Sequence, residues 1–150
     1  MLQLYRDHYD LQRELIGIDL SPRMVEITRE RLDFRLKVFT GDMRDLSGIL
    51  SQSAAVISFF AIHHLNPEDV LAAFKEWNQI LFTGGQLVLA AWEGTGSIDY
   101  GEDTDIVALR YTKDNVTTLI NEAGFAINQC IVEPVEEMKM EAIYLEATKV

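Results

Sequence analysis

Cysteine is nearly absent from this chain. Its 150 residues include one, Cys130, set in an apolar run. One cysteine forms no internal disulfide, so a reducing, cytoplasmic setting is the default, and Cys130 itself reads as a small buried apolar residue. Positive charge is also scarce. Lys and Arg number 13 against 24 Asp and Glu, for a formal net charge of −11. An acidic chain repels phosphate backbones, which argues against nucleic acid as a direct partner and leaves neutral or cationic small molecules open. Long apolar runs are missing. None approaches the roughly 20 residues of a membrane span, and no secretory signal opens the chain, so no membrane partner is expected. There is no internal repeat, no low-complexity segment, and no metal site is assigned. At 48% hydrophobic and 25% charged, the composition is that of an ordinary globular protein. Residues 1–150 are enough for one domain with one sizeable core.

What is present is organised around Leu15-Ile16-Gly17-Ile18-Asp19-Leu20-Ser21-Pro22. An apolar run predicts a strand from Leu15 that ends on a carboxylate, with Ser21 as helix N-cap and Pro22 at the first helical position. Ligands of open α/β sheets bind just outside the carboxyl ends of strands. Asp19 is therefore either an acceptor for two ribose hydroxyls or a capping carboxylate.

Before this stretch, Leu4, Leu11 and Leu15 fall on one helical face with His8 beside them, which predicts a helix over Leu2 to Leu15. After it, Pro22 to Leu32 is amphipathic and Leu36 to Phe39 is a short strand. Thr40-Gly41-Asp42-Met43 then leaves a second carboxylate at a strand end. Ala54 to Ile62 is apolar almost throughout, as in a strand buried on both faces. His63-His64-Leu65 closes it, and Asn66-Pro67 opens a helix to about Leu81 that Thr83-Gly84-Gly85 should stop. Gln86 to Trp92 is another buried strand. Glu93 to Thr112 reads as a loop, Lys113 to Ala123 as a helix with Gly124 at its C-cap. Phe125 to Val132 and Glu141 to Lys149, separated by Pro134 to Lys139, read as an antiparallel hairpin. Strand–helix alternation predicts an α/β fold, a mostly parallel sheet with helices on both faces, to which the C-terminal antiparallel hairpin is added.

GIDLSPRM, GDMRDL, AIHHL and LFTGGQLVLAAW occur in that order. Together they resemble the class I S-adenosylmethionine-dependent methyltransferases, in particular the group that includes quinone-biosynthesis enzymes. The resemblance covers Leu15 to Trp92 well and the remainder loosely. It implies a Rossmann-like fold, S-adenosylmethionine as cofactor, and methyl transfer to a small molecule. It also implies roles for individual positions. Asp19 would hold the ribose hydroxyls, with Leu20, Ser21 and Met24 around the cofactor. Asp42 and Met43 would lie beside the adenine, the acid accepting from the exocyclic amine. Phe59 and Phe60 would line the methionine half. Each has a plainer alternative: Asp42 as a strand terminator, the two phenylalanines as core.

Of His63 and His64, one should enter the sheet–helix interface and the other the cleft. A cleft histidine, assigned as His64, suits a general base on the substrate, the alternative being a hydrogen-bonded strand-end histidine. Trp92 and Glu93 are further candidates for the substrate side. The family also has a first strand and an acidic-x-G-x-G-x-G loop ahead of its first helix, and neither stands between Met1 and Leu15. On that count the expectation is a domain truncated relative to the family, impaired in cofactor binding and turnover and open to homodimer formation through Leu4, Tyr5 and Leu11. The competing readings are a non-catalytic remnant or oligomerising scaffold, and a nucleotide-binding domain with other chemistry.

Overall fold

A computed structural model describes residues 12–31, 37–98 and 108–150. The chain forms two compact units, Met1–Ile49 and Leu50–Val150.

The first unit holds strand β1 (Ile16–Asp19), helix α1 (Pro22–Arg31) and strand β2 (Lys37–Thr40). The two strands pair in parallel, Ile16 opposite Lys37 and Asp19 opposite Thr40. A parallel pair needs a crossover, and α1 supplies it. Val25 is the buried residue of α1, and Val38 and Leu46 are also buried in this unit. The Arg29 guanidinium reaches from α1 to β2, its Nε donating to the Val38 carbonyl at 2.9 Å. Gln12 to Leu15 are not helical, and the strand starts one residue later than the sequence predicts. The rest of the helix predicted from Leu2, with Leu4, Tyr5, His8 and Leu11, lies outside the described residues. So do Leu32 and Leu36.

The second unit is built on a four-stranded sheet in the order β3-β4-β8-β7, comprising Ser53–Phe59, Leu81–Trp92, Met140–Lys149 and Phe125–Val135. The ladder between β3 and β4 is parallel and the other two are antiparallel. This sheet is therefore mixed rather than mostly parallel. The C-terminal hairpin forms as predicted, and its second strand rather than its first seats against β4. A 3₁₀ turn at Glu136–Met138 and Lys139 in the left-handed region, with φ 51°, close the hairpin. Helices α2 (Pro67–Ile80) and α3 (Lys113–Glu122) touch each other. Phe74, Trp77 and Ile80 from α2, Val116 and Ile120 from α3, and Leu87, Leu89, Ile143 and Leu145 from the sheet are all buried.

Both helix starts follow from capping. Asn66 Oδ1 accepts the Asp69 N–H at 2.9 Å and Pro67 needs no donor partner. Thr112 Oγ1 accepts the Asn115 N–H at 3.1 Å.

Three expectations are corrected here. The strand predicted to Ile62 ends at Phe59, because Phe60 turns the backbone to φ 53° and Ile62–His64 form a 3₁₀ turn. That strand is not buried on both faces. Among the described residues it is an edge strand of its sheet, with Ile57 43% and Phe59 39% exposed. Finally, Thr83-Gly84-Gly85 does not stop a helix. Helix α2 ends at Ile80 and passes straight into β4, and the glycines form an irregularity where the register jumps from Ser53–Leu81 to Ala55–Gln86. Gly84 takes φ 79°, and a Cβ on Gly85 would meet the Phe82 carbonyl oxygen at 2.8 Å. The predicted loop Glu93 to Thr112 also contains a short antiparallel pair, β5 (Ser97–Ile98) with β6 (Ala108–Leu109). Residues 99–107 lie outside the described residues.

Candidate functional site

In the first unit the parallel register brings two carboxylates to the same end of a strand pair. Asp19 closes β1 opposite Thr40, its carbonyl accepts the Gly41 N–H at 3.0 Å, and Asp42 follows. Asp19 is exposed. Its Oδ1 accepts the Ser21 N–H at 2.8 Å, which fixes the carboxylate in the turn that starts α1. Among the described residues Asp19 forms no ion pair, so Oδ2 keeps its acceptor capacity for a ligand. Ser21 is the N-cap that the sequence predicts, its Oγ accepting the Met24 N–H at 3.3 Å. Beside these polar groups stand two exposed apolar side chains, Leu20 at 70% and Met24 at 50%. Acceptor oxygens thus stand next to exposed apolar surface.

Asp42 is engaged differently from the sequence expectation. Arg44 Nη2 donates to Oδ2 at 2.6 Å, and the Arg44 backbone N–H donates to Oδ1 at 2.9 Å. The hydrogen bond from Arg44 holds the Asp42 carboxyl below its ordinary pKa of 3.8. Arg44 Nε also donates to both oxygens, at 3.0 and 3.1 Å, so the ionised, acceptor-only carboxylate is held at both ends by one arginine. Met43 is half-buried next to it.

In the second unit the ends of β3 and β4 meet through aromatic rings. The Phe60 N–H donates to the Ala90 carbonyl at 2.8 Å, and the Phe60 and Trp92 ring centroids are 4.4 Å apart. A positive φ on a phenylalanine is strained. Here the ring pair and the hydrogen bond hold it.

The two histidines differ in burial. His63 is buried at 5% exposure and His64 is exposed. Their ring centroids are 4.0 Å apart. Burial, with a smaller contribution from the neighbouring His64, pushes the His63 pKa from 6.5 down to about 4. Its Nδ1 is buried without a hydrogen-bond partner, so His63 is neutral at pH 7. His64 is the accessible one.

Glu93 serves a structural purpose that the sequence did not reveal: its Oε2 accepts the Lys113 N–H at 2.8 Å and so caps α3. Trp92 is buried. Cys130 is half-buried on β7, and burial pushes its thiol pKa up.

Two residues escape sequence reasoning. Tyr111 is buried and its hydroxyl donates to the Leu65 carbonyl, which ties the loop after β6 to the turn after His64. Burial raises its pKa to about 12, so it stays a donor. Arg110 lines two cavities, of about 360 and 370 Å³. The available signal was a lone arginine after an acidic stretch at the carboxyl end of a strand.

A family model described as "Methyltransferase domain" matches residues 1–85. The chain belongs to that family. The uncharacterized methyltransferase YrrT of Bacillus subtilis (strain 168) is 28% identical over 81 residues, covering 54% of this chain and 38% of its own length. The chain thus spans about two fifths of the curated relatives it matches.

Among solved structures, a SAM-dependent methyltransferase from Methanosarcina mazei matches with a TM-score of 0.84 at 16% identity. The match covers 99% of this chain and 86% of that one. The Burkholderia thailandensis 1,6-didemethyltoxoflavin-N1-methyltransferase, solved with 1,6-didemethyltoxoflavin and S-adenosylhomocysteine, matches with a TM-score of 0.75 at 16% identity, covering 96% and 65%. The fold is that of the Rossmann-like methyltransferases.

Proposed function

We propose that this chain binds S-adenosylmethionine and serves methyl transfer to a small molecule. The observation that carries the reading is the exposed Asp19 at the end of β1, held by the Ser21 N–H and flanked by exposed Leu20 and Met24. Asp19 accepts from the ribose hydroxyls. Leu20 and Met24 supply apolar surface, and Ser21 fixes the turn by capping α1. Asp42, kept ionised by Arg44, accepts from the adenine amine with Met43 beside it. These donor and acceptor types fit a nucleoside whose other end is apolar and cationic.

The bound cofactor supplies an electrophilic sulfonium methyl. The chain's own contribution is positioning and the removal of a proton from the acceptor. His64, exposed beside the neutral His63, is the residue we assign to that proton. His63 stays uncharged and does not compete for it.

Membership of the methyltransferase family and a structural neighbour solved with 1,6-didemethyltoxoflavin support a small-molecule substrate. Among the described residues no helix is long and apolar enough to cross a membrane.

The test is ligand-dependent thermal stabilisation with S-adenosylmethionine, S-adenosylhomocysteine and NAD. Stabilisation by the first two alone supports the reading. A response to NAD alone would move the chain to other nucleotide chemistry, and no response to any of the three would make it a scaffold.

A further inference from the structure

Arg110 sits at the carboxyl end of β4, where chain segments are fastened together. Its N–H donates to the Gly96 carbonyl at 2.8 Å, and the next residue, Tyr111, donates its own N–H to the Trp92 carbonyl at 3.0 Å. The side chain packs over the strand-end glycine: a Cβ on Gly94 would lie 3.3 Å from Arg110 Nη1. Gly94, at φ 125°, is what lets the guanidinium come this close.

Two facts make this arginine unusual. Its Nε is buried and has no hydrogen-bond partner, and among the described residues no carboxylate forms an ion pair with it. Buried guanidinium donors are ordinarily satisfied, because an unpaired one forfeits its hydration without compensation. The shortage is all the more notable in a chain with 24 acidic residues.

The cavities on its two sides differ in charge. One, of about 360 Å³, has Glu93, Glu136 and Glu141 in its wall together with Lys139. The other, of about 370 Å³, has Arg110 as the sole charged residue of its lining among the described residues. The remainder of that second lining is apolar or neutral: Pro67, Leu109, Tyr111 and Leu119, with Asn115 and Thr118 as hydrogen-bonding groups.

We infer that this second cavity binds a small amphipathic carboxylate, with Arg110 as its anchor. A guanidinium presents parallel donors that match a carboxylate fork, and such pairs are the strong, geometry-selective ones. The apolar walls account for the rest of the ligand and favour an aromatic or short aliphatic body over a hydrated inorganic ion. The net charge of the chain slows the approach of an anion from a distance. The bound state is governed instead by the cavity's own lining, in which Arg110 is the charged group among the described residues. That this carboxylate belongs to the methyl acceptor rests on the proposed function. The anion site itself stands on Arg110 and its cavity alone.

The experiment is a titration of the ¹⁵N-labelled chain, followed at the arginine Nε–Hε resonances and at constant ionic strength in chloride. Benzoate is compared with benzamide, its neutral isostere, and with inorganic phosphate. The expected result is a saturable benzoate-dependent shift of the Arg110 Nε–Hε signal, with benzamide and phosphate each binding at least tenfold more weakly. Arg110→Gln should weaken benzoate at least tenfold, the equivalent of one charge-assisted hydrogen bond. Arg110→Lys should weaken it by less, since it keeps charge without the fork.

Equal binding of benzamide and benzoate, a shift that does not saturate, or undiminished benzoate binding by Arg110→Gln would overturn the proposal. So would phosphate outcompeting benzoate. The comparison of benzoate with benzamide uses the unaltered chain, so misfolding of a variant does not leave the question open. S-adenosylhomocysteine is titrated in parallel. Its binding without benzoate binding removes the anion site and leaves the proposed function standing, while benzoate binding without it does the reverse.

Discussion

Acidification should destabilise the second unit through His63, and the size of the effect follows from its surroundings. The ring is 5% exposed, its Nδ1 lacks a hydrogen-bond partner, and burial lowers its pKa from 6.5 to about 4. The folded state thus holds the neutral ring, whereas the unfolded chain takes up a proton near pH 6.5. A histidine with a lowered folded pKa contributes stability that is complete above 6.5. It is lost progressively as pH falls from 6.5 towards 4, where the folded state also protonates. At about 1.4 kcal/mol per pH unit over that window, the loss is at most about 3.5 kcal/mol.

Urea denaturation at pH 7.5, 6.5, 5.5 and 4.5 measures it, with His63→Leu as the comparison. At pH 7.5 His63→Leu should cost little, because no hydrogen bond to Nδ1 is lost. Below pH 6 the variant should become the more stable of the two. Carboxylates titrate in both proteins, so the difference between the curves isolates His63. Parallel curves from pH 7.5 to 4.5 would refute the argument. His63→Gln, neutral and polar, should flatten the same window and guards against a repacking artefact of leucine.

Further outcomes follow from single contacts. Asn66→Ala removes the cap of α2 and should lower stability by about 1 kcal/mol in chemical denaturation, with Asn66→Ser, which keeps a capping oxygen, closer to the parent. Gly85→Ala sets a Cβ 2.8 Å from the Phe82 carbonyl oxygen and should cost about 1–3 kcal/mol, the range for forcing atoms into packed space. Gly48→Ala, where a Cβ meets nothing within 4 Å, should be neutral in the same melting experiment.

The parts of this chain that could be read from sequence are those fixed by local chemistry. Ser21-Pro22 and Asn66-Pro67 start helices because a hydroxyl or amide oxygen satisfies an orphan N–H and proline needs none. The strand-end carboxylates Asp19 and Asp42 were likewise visible, and the parallel register puts them at the same end. What stayed hidden depends on tertiary partners. Gly84 and Gly85 carry the turn signal of a helix stop, yet the neighbouring strand absorbs them as an irregularity within β4. The apolar run of β3 suggests burial on both faces, but its place at the sheet edge leaves Ile57 and Phe59 exposed.

In the site, the capture of Asp42 by Arg44 is a two-residue contact that no periodicity announces. Glu93, a candidate for the substrate side in sequence, accepts the Lys113 N–H at the start of α3, a long-range contact no local pattern shows. Arg110 and Tyr111 lay in a stretch whose composition says only loop. Their importance comes from the strand ends and cavities they reach, which a linear pattern does not contain.

The central claim is that the chain holds the cofactor's nucleoside through Asp19. Isothermal titration with S-adenosylhomocysteine, on the parent chain and on Asp19→Ala, tests it most directly. The account predicts measurable binding by the parent and a loss of about 1.5–3 kcal/mol on removal of the carboxylate, the value of a hydrogen bond to a charged group. The same heat and the same affinity from Asp19→Ala would contradict it.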